Sequence, residues 1–133
     1  MSWVLVRGGT LLIPSGPKHH LHVILNEPLT LAGFEPDACL LLGISTVVPR
    51  CDMTCPLDPG CHPFIKDPSF IEYRWPQIVR QAHLHKQVEV GVFVPREPVG
   101  HAFVKRVVAN IDVAPRASGE LKAWAKEIWK TLT

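Results

Sequence analysis

The chain has 133 residues, 47% hydrophobic and 20% charged, a length that suits one compact domain able to bury a core without metal or disulfide. Fourteen Lys and Arg against twelve Asp and Glu give a formal net charge of +2, too small a surplus for a counterion-driven grip on duplex DNA, so a basic patch has to be found locally. No stretch approaches the roughly eighteen apolar residues that span a bilayer, and the first apolar run, Trp3 to Val6, is cut by Arg7-Gly8-Gly9; neither signal peptide nor membrane anchor is expected, which places the protein in the cytoplasm with no membrane partner.

In that reducing compartment Cys39, Cys51, Cys55 and Cys61 are expected as free thiols rather than disulfides. Thirteen prolines, about twice average usage, fall between apolar runs and favour short strands joined by rigid turns. Thr10 to Ile13 reads as a first strand closed by Pro14-Ser15-Gly16-Pro17. His20 to Asn26 alternates Leu21, Val23 and Leu25 with more polar neighbours, the period of a strand that pairs back on the first. Glu27 to Asp37 reads as a loop, and Ala38 to Ser45, apolar on both faces, as the central strand.

From Pro49 to Pro63 turn formers dominate, so a long loop is expected, with Asp58-Pro59-Gly60 as a turn and Asp52 bonded to its own loop backbone. Ser69 to Tyr73 reads as a strand, Trp75-Pro76 as a break, His83-Leu84-His85 as loop, and Gln87 to Val94 as a last strand with Val88, Val90, Val92 and Val94 on one side. The period then changes. Phe103, Val107 and Ile111 stand four apart, and Leu121, Trp124, Ile128 and Leu132 follow the candidate cap Ser118, with Glu120 in the first turn. The expected architecture is mainly β with C-terminal helices: one domain over residues 1–133, its sheet over about 1–95 and a helical tail over about 100–133.

Three groups of residues can carry chemistry. His20 and His22 share one face of a strand and can offer two imidazoles to a metal or to proton transfer, or form the solvated side of an amphipathic strand. Cys51, Cys55, Cys61 and His62 crowd one loop, but their spacing departs from the separated pairs of zinc sites, which favours small apolar residues under a loop; no metal or other cofactor is assigned. Asp52, Cys55, His62, Ser69, Tyr73 and Arg74 bring an acid, a thiol, an imidazole, two hydroxyls and a guanidinium into one stretch, from which a general acid, a general base and a phosphate stabiliser can be drawn. Cys39 and Trp124 read as core. Lys105, Arg106, Lys122, Lys126 and Lys130 fall at helical spacings and read as solvated faces.

The order of elements resembles the MazF/PemK family of toxin-like small barrels. The matching pieces are Gly9-Thr10-Leu11-Leu12-Ile13-Pro14, His20 to Asn26, Leu41-Leu42-Gly43-Ile44-Ser45-Thr46 and Ser69-Phe70-Ile71-Glu72-Tyr73. The resemblance implies an SH3-like barrel, a homodimer, a cognate antitoxin and metal-independent cleavage of single-stranded RNA. Where that family carries an Arg-Pro pair at the start of the second strand, this chain has Lys18-His19-His20-Leu21, while the family's hydroxyl after the central strand corresponds to Ser45 or Thr46.

The expected activity is therefore that of an endoribonuclease with His20 and His62 as acid and base beside Ser45 or Thr46, and with Lys18, His19, Ser69, Tyr73 and Arg74 near the substrate. The competing expectation is a barrel that kept the fold and lost the chemistry, binding protein or nucleic acid. Trp124 and Trp129 are five positions apart, about 140° around a helix, so one face cannot bury both and Trp129 is expected at an interface, a two-fold dimer being the commonest kind.

Overall fold

In a computed structural model the chain is described over residues 3–29 and 37–133; the expected loop at Glu27 to Asp37 lies mostly outside the described residues. Two strands, β1 (Thr10–Ser15) and β2 (Lys18–Ile24), form an antiparallel hairpin whose register ends at Ser15↔Lys18. Gly16, at φ 63°, supplies the left-handed position that the two-residue turn needs. The first strand runs further than expected, through Pro14. Ile24 N–H donates to Gly9 O, so odd-numbered residues of β1 face β2 and the proline nitrogen points the other way, beyond the stretch where β1 has a second partner.

That partner is β6 (Val94–Arg96), paired with Thr10 to Leu12. On the other side β2 pairs with β3 (Ala38–Thr46), β3 with β5 (Ser69–Arg80), and β5 with the short β4 (Pro56–Leu57). Every pairing is antiparallel, and the order β4-β5-β3-β2-β1-β6 makes a curled half-barrel with β4 and β6 at its edges. Asn26, fully buried, ties β2 to β3: its Oδ1 accepts from Leu40 N–H at 2.8 Å and its Nδ2 donates to Ala38 O at 3.0 Å.

The double-sided apolar character of the central strand has a direct cause, since the sheet is covered on both faces. Leu21, Val23 and Leu25 of the β2 segment, Leu40 and Leu42 of β3, and Ile71 and Tyr73 of β5 pack with α2 (His101–Ile111) and α3 (Gly119–Trp129). Leu11, Ile13, Ile24, Cys39 and Leu41 form a second cluster with Leu84 of α1 (Gln81–Glu89) and with Phe93. Both tail helices form as the spacing predicts, and Ser118 Oγ accepts from Leu121 N–H at 3.0 Å at the start of α3.

Three expectations are corrected. The break at Trp75-Pro76 is a bulge inside one long strand: Leu41 pairs with Gln77 and Gly43 with Glu72, so Tyr73 to Pro76 all stand opposite Leu42. A proline has no N–H for the ladder, and a bulge is where a strand tolerates it. The stretch from His83 is helix α1 rather than a loop, and the strand expected over Gln87 to Val94 begins only at Val94. Val90, Val92 and Val94 are exposed, so their alternation has no core to face. Gly91, at φ 80°, ends the helix, its N–H donating to Val88 O at 3.1 Å.

Candidate functional site

The pairing of β2 with β3 stops at His22↔Gly43. Continued by two residues, the register would set His20 opposite Ser45; instead the strands part, and a cleft of about 500 Å³ opens between them. Leu25 N–H donates to Leu40 O, so odd-numbered residues of β2 direct their peptide groups toward β3, and His19 faces the cleft with a peptide that no β3 residue pairs. Lys18, His19 and His20 line one wall. Ser45 and Thr46 line the other, held in place by pairing with Phe70 and Ser69 on β5.

Six of the residues expected at a site, Lys18, His19, His20, Ser45, Thr46 and Ser69, thus share one cleft. Lys18, His19 and Thr46 are exposed, His20 and Ser45 half-buried. Ser69 is buried and its Oγ donates to Asp67 O at 2.9 Å, so it shapes the wall more than it faces a ligand. Lys66, Asp67 and Glu72 also line the cleft and escaped the sequence reading. A signal for Glu72 was present: with Ile71 and Tyr73 core-facing, strand alternation puts Phe70 and Glu72 on the other side. Lys66 and Asp67 sit in a loop and carried no such signal.

The structure does not bring His62, Tyr73 or Arg74 to this cleft. His62 is buried with both ring nitrogens engaged, Nδ1 accepting from Phe64 N–H at 3.0 Å and Nε2 donating to Glu97 O at 2.7 Å. Thr10 Oγ1 donates to the same carbonyl at 2.8 Å, so the imidazole acts as a clamp between the long loop and the segment after β6. Tyr73 is fully buried and its hydroxyl donates to Val107 O at 2.8 Å; burial pushes the phenol well above its ordinary range. Arg74 is exposed, its guanidinium 5.0 Å from the centre of the Trp75 ring.

His20 and His22 separate as well. His22 is buried, its Nδ1–H donating to His20 O at 3.0 Å and its Nε2 standing 3.4 Å from the Gln77 amide. Burial holds its pKa below the ordinary histidine range, opposed in part by the backbone hydrogen bond. One imidazole of the pair thus supports the strand, and the other lines the cleft.

The loop cysteines do not form one group. Cys55 is buried and its thiol is raised by burial; Cys51 is half-buried and Cys61 exposed, so only Cys55 packs as a small apolar residue. Burial, followed by the carboxylates of Asp37 and Glu27, pushes Cys39 up to about 12. Among the described residues no three His, Cys, Asp or Glu side chains stand together as a metal-holding group, and no helix is long and apolar enough to cross a membrane. Asp52 accepts from Thr54 N–H at 2.9 Å and from the Thr54 hydroxyl, the local role its loop position predicts. Set against protein-family models, curated proteins and solved structures, the chain matches none of them.

Proposed function

We propose that the protein is a metal-independent endoribonuclease that cleaves single-stranded RNA in the cleft between β2 and β3, and that the curled sheet is a variant of the SH3-like barrel of MazF/PemK-type toxins, with an antitoxin as its physiological inhibitor. The observation that supports this reading is the convergence on one open cleft of two imidazoles, the hydroxyls of Ser45 and Thr46 and two lysines, beside the buried Ser69 and the carboxylates of Asp67 and Glu72. His20, half-buried, is assigned the base that takes the ribose 2′-hydroxyl proton; the 2′-oxygen then attacks phosphorus. His19 is assigned the acid that protonates the departing 5′-oxygen and replaces His62 as the second histidine of the reaction, since both ring nitrogens of His62 are committed. Lys18 and Lys66 balance charge on the phosphorane, and Ser45 and Thr46 donate to its non-bridging oxygens. The products are a 2′,3′-cyclic phosphate and a free 5′-hydroxyl, so no water or metal enters the first step.

The test is incubation of purified protein with a mixed RNA pool, in chelator and in divalent metal, followed by analysis of the new ends. Cyclic phosphate ends in chelator are expected, and His20→Ala should lower the rate by about 10²-fold or more, the usual contribution of a general acid or base, with an unchanged melting temperature. An RNA pool left intact under both conditions refutes the proposal. RNA held in a stable complex without scission would assign the cleft to a binding module instead.

A further inference from the structure

We propose that the groove between α2 and α3 is a docking site, separate from the cleft, for an acidic protein segment that carries a bulky apolar anchor. The groove has a volume of about 490 Å³. Its floor and one wall are apolar, built from Val108, Ala125 and the half-buried ring of Trp129. Its rim is basic. Lys122, Lys126 and Lys130 repeat every four residues along α3, so like charges are stacked one turn apart, a spacing that weakens a helix rather than stabilising it. Glu127 pairs with Lys130 at 3.3 Å; among the described residues Lys122 and Lys126 have no acidic partner. A single acid, Asp112, lines the groove.

The chemistry of the rim selects the occupant. A second copy of this chain meeting the groove across a two-fold axis would set the lysine row against its own image, which electrostatic complementarity disfavours. Single-stranded nucleic acid binds by stacking successive bases on several aromatic faces, whereas Trp129, one face of which carries the Lys105 ammonium 5.5 Å from the ring centre, is among the described residues the one aromatic lining the groove. An acidic segment meets neither obstacle. Its carboxylates answer the unpaired lysines, and an apolar side chain fills the depression beside Trp129, the arrangement of a buried anchor within a charged rim.

The experiment titrates the full-length protein with a synthetic Glu-rich amphipathic peptide bearing leucines on one face, with its Lys-rich counterpart and with a single-stranded RNA oligonucleotide. The Glu-rich peptide is expected to bind, with an affinity that falls as salt is raised, and the Lys-rich peptide is not. The double variant Lys122→Glu/Lys126→Glu should weaken binding at least about tenfold, since it reverses two rim charges, with an unchanged melting temperature. Trp129→Ala should weaken it too, while His20→Ala in the cleft should leave it intact. That last arm keeps this site independent of the proposed nuclease activity. The proposal is overturned if the Glu-rich peptide fails to bind, if the Lys reversal leaves its affinity unchanged, if RNA displaces it from the groove, or if light scattering shows a dimer that Trp129→Ala dissolves.

Discussion

Replacing Gly43 by alanine tests how the cleft wall is held. A Cβ built on Gly43 would stand 3.1 Å from His22 Nε2, 3.4 Å from Cε1 and 3.5 Å from Cδ2, so one methyl meets three atoms of the same ring. The ring has little freedom to retreat, because its Nδ1–H is bonded to His20 O and its Nε2 faces the Gln77 amide. Overpacking of this kind costs about 1–3 kcal/mol. Against it stands the relief of removing a glycine from a strand, about 0.5–1 kcal/mol. The net expectation for Gly43→Ala is destabilisation by about 1 kcal/mol, within a span of roughly 0–2.5 kcal/mol that the two effects allow.

In a His22→Ala background the obstructing ring is gone and only the relief remains, so the same substitution should stabilise by about 0.5–1 kcal/mol. The sign therefore reverses between backgrounds. Urea unfolding of the four proteins at neutral pH, with m-values checked for constancy, gives the coupling directly. If Gly43→Ala shifts stability equally in both backgrounds, within about 0.5 kcal/mol, the contact does not govern this position and the reasoning fails. A positive result also bears on the cleft, because a displaced His22 releases the carbonyl of His20.

Three further outcomes are expected. His22 has a folded pKa below its ordinary value of 6.5, so its neutral form contributes stability fully above that value and progressively less as pH falls toward the folded pKa; His22→Gln should flatten that part of the stability profile, and an unaltered slope would contradict the assignment. His62→Ala should cost about 2–4 kcal/mol through a lost buried ring and two hydrogen bonds, while RNA cleavage per folded molecule stays within a few-fold of wild type; cleavage lost at unchanged stability would return His62 to the chemistry. Tyr73→Phe should cost about 1–2 kcal/mol by removing the hydroxyl that Val107 O accepts, read as a lower denaturation midpoint.

Much of the fold was legible because burial and periodicity coincide there. Ala38 to Ser45 reads as central since it is apolar on both faces, and a core lies on each side of it. The tail helices announce themselves through spacing and the Ser118 cap. Helix α1 was hidden by the valines that follow it, whose alternation is genuine but faces solvent, and by Gly91, which reads equally well as a strand interruption or a helix stop. His62 and Tyr73 looked chemical because sequence shows residue type without partners. Their polar atoms are spent on Glu97, Phe64 and Val107, none of which lies within two turns of chain except Phe64.

The cleft was harder to assemble because strand alternation sorts residues onto faces, and this site does not lie on a face. Consecutive residues Lys18 to Leu21 and Ile44 to Thr46 all line it, as is expected where two strands part within the sheet and residues of both faces border one gap. Alternation favours the pair His20 and His22, whereas the gap collects His19 and His20, whose Cβ atoms leave opposite sides of β2. For phosphodiester transfer that opposition is useful. The attacking 2′-oxygen and the leaving 5′-oxygen lie on opposite sides of phosphorus in an in-line displacement, so a base and an acid must approach from opposite directions. Two imidazoles on one face, the placement alternation gives His20 and His22, suit a shared metal ion better, but His22 is buried with its Nδ1–H bonded to His20 O. On the proposed reading, the end of the β2 and β3 ladder at His22↔Gly43 therefore selects between these chemistries: the paired side of that position buries one histidine, and the parted side gives the neighbouring two a common substrate.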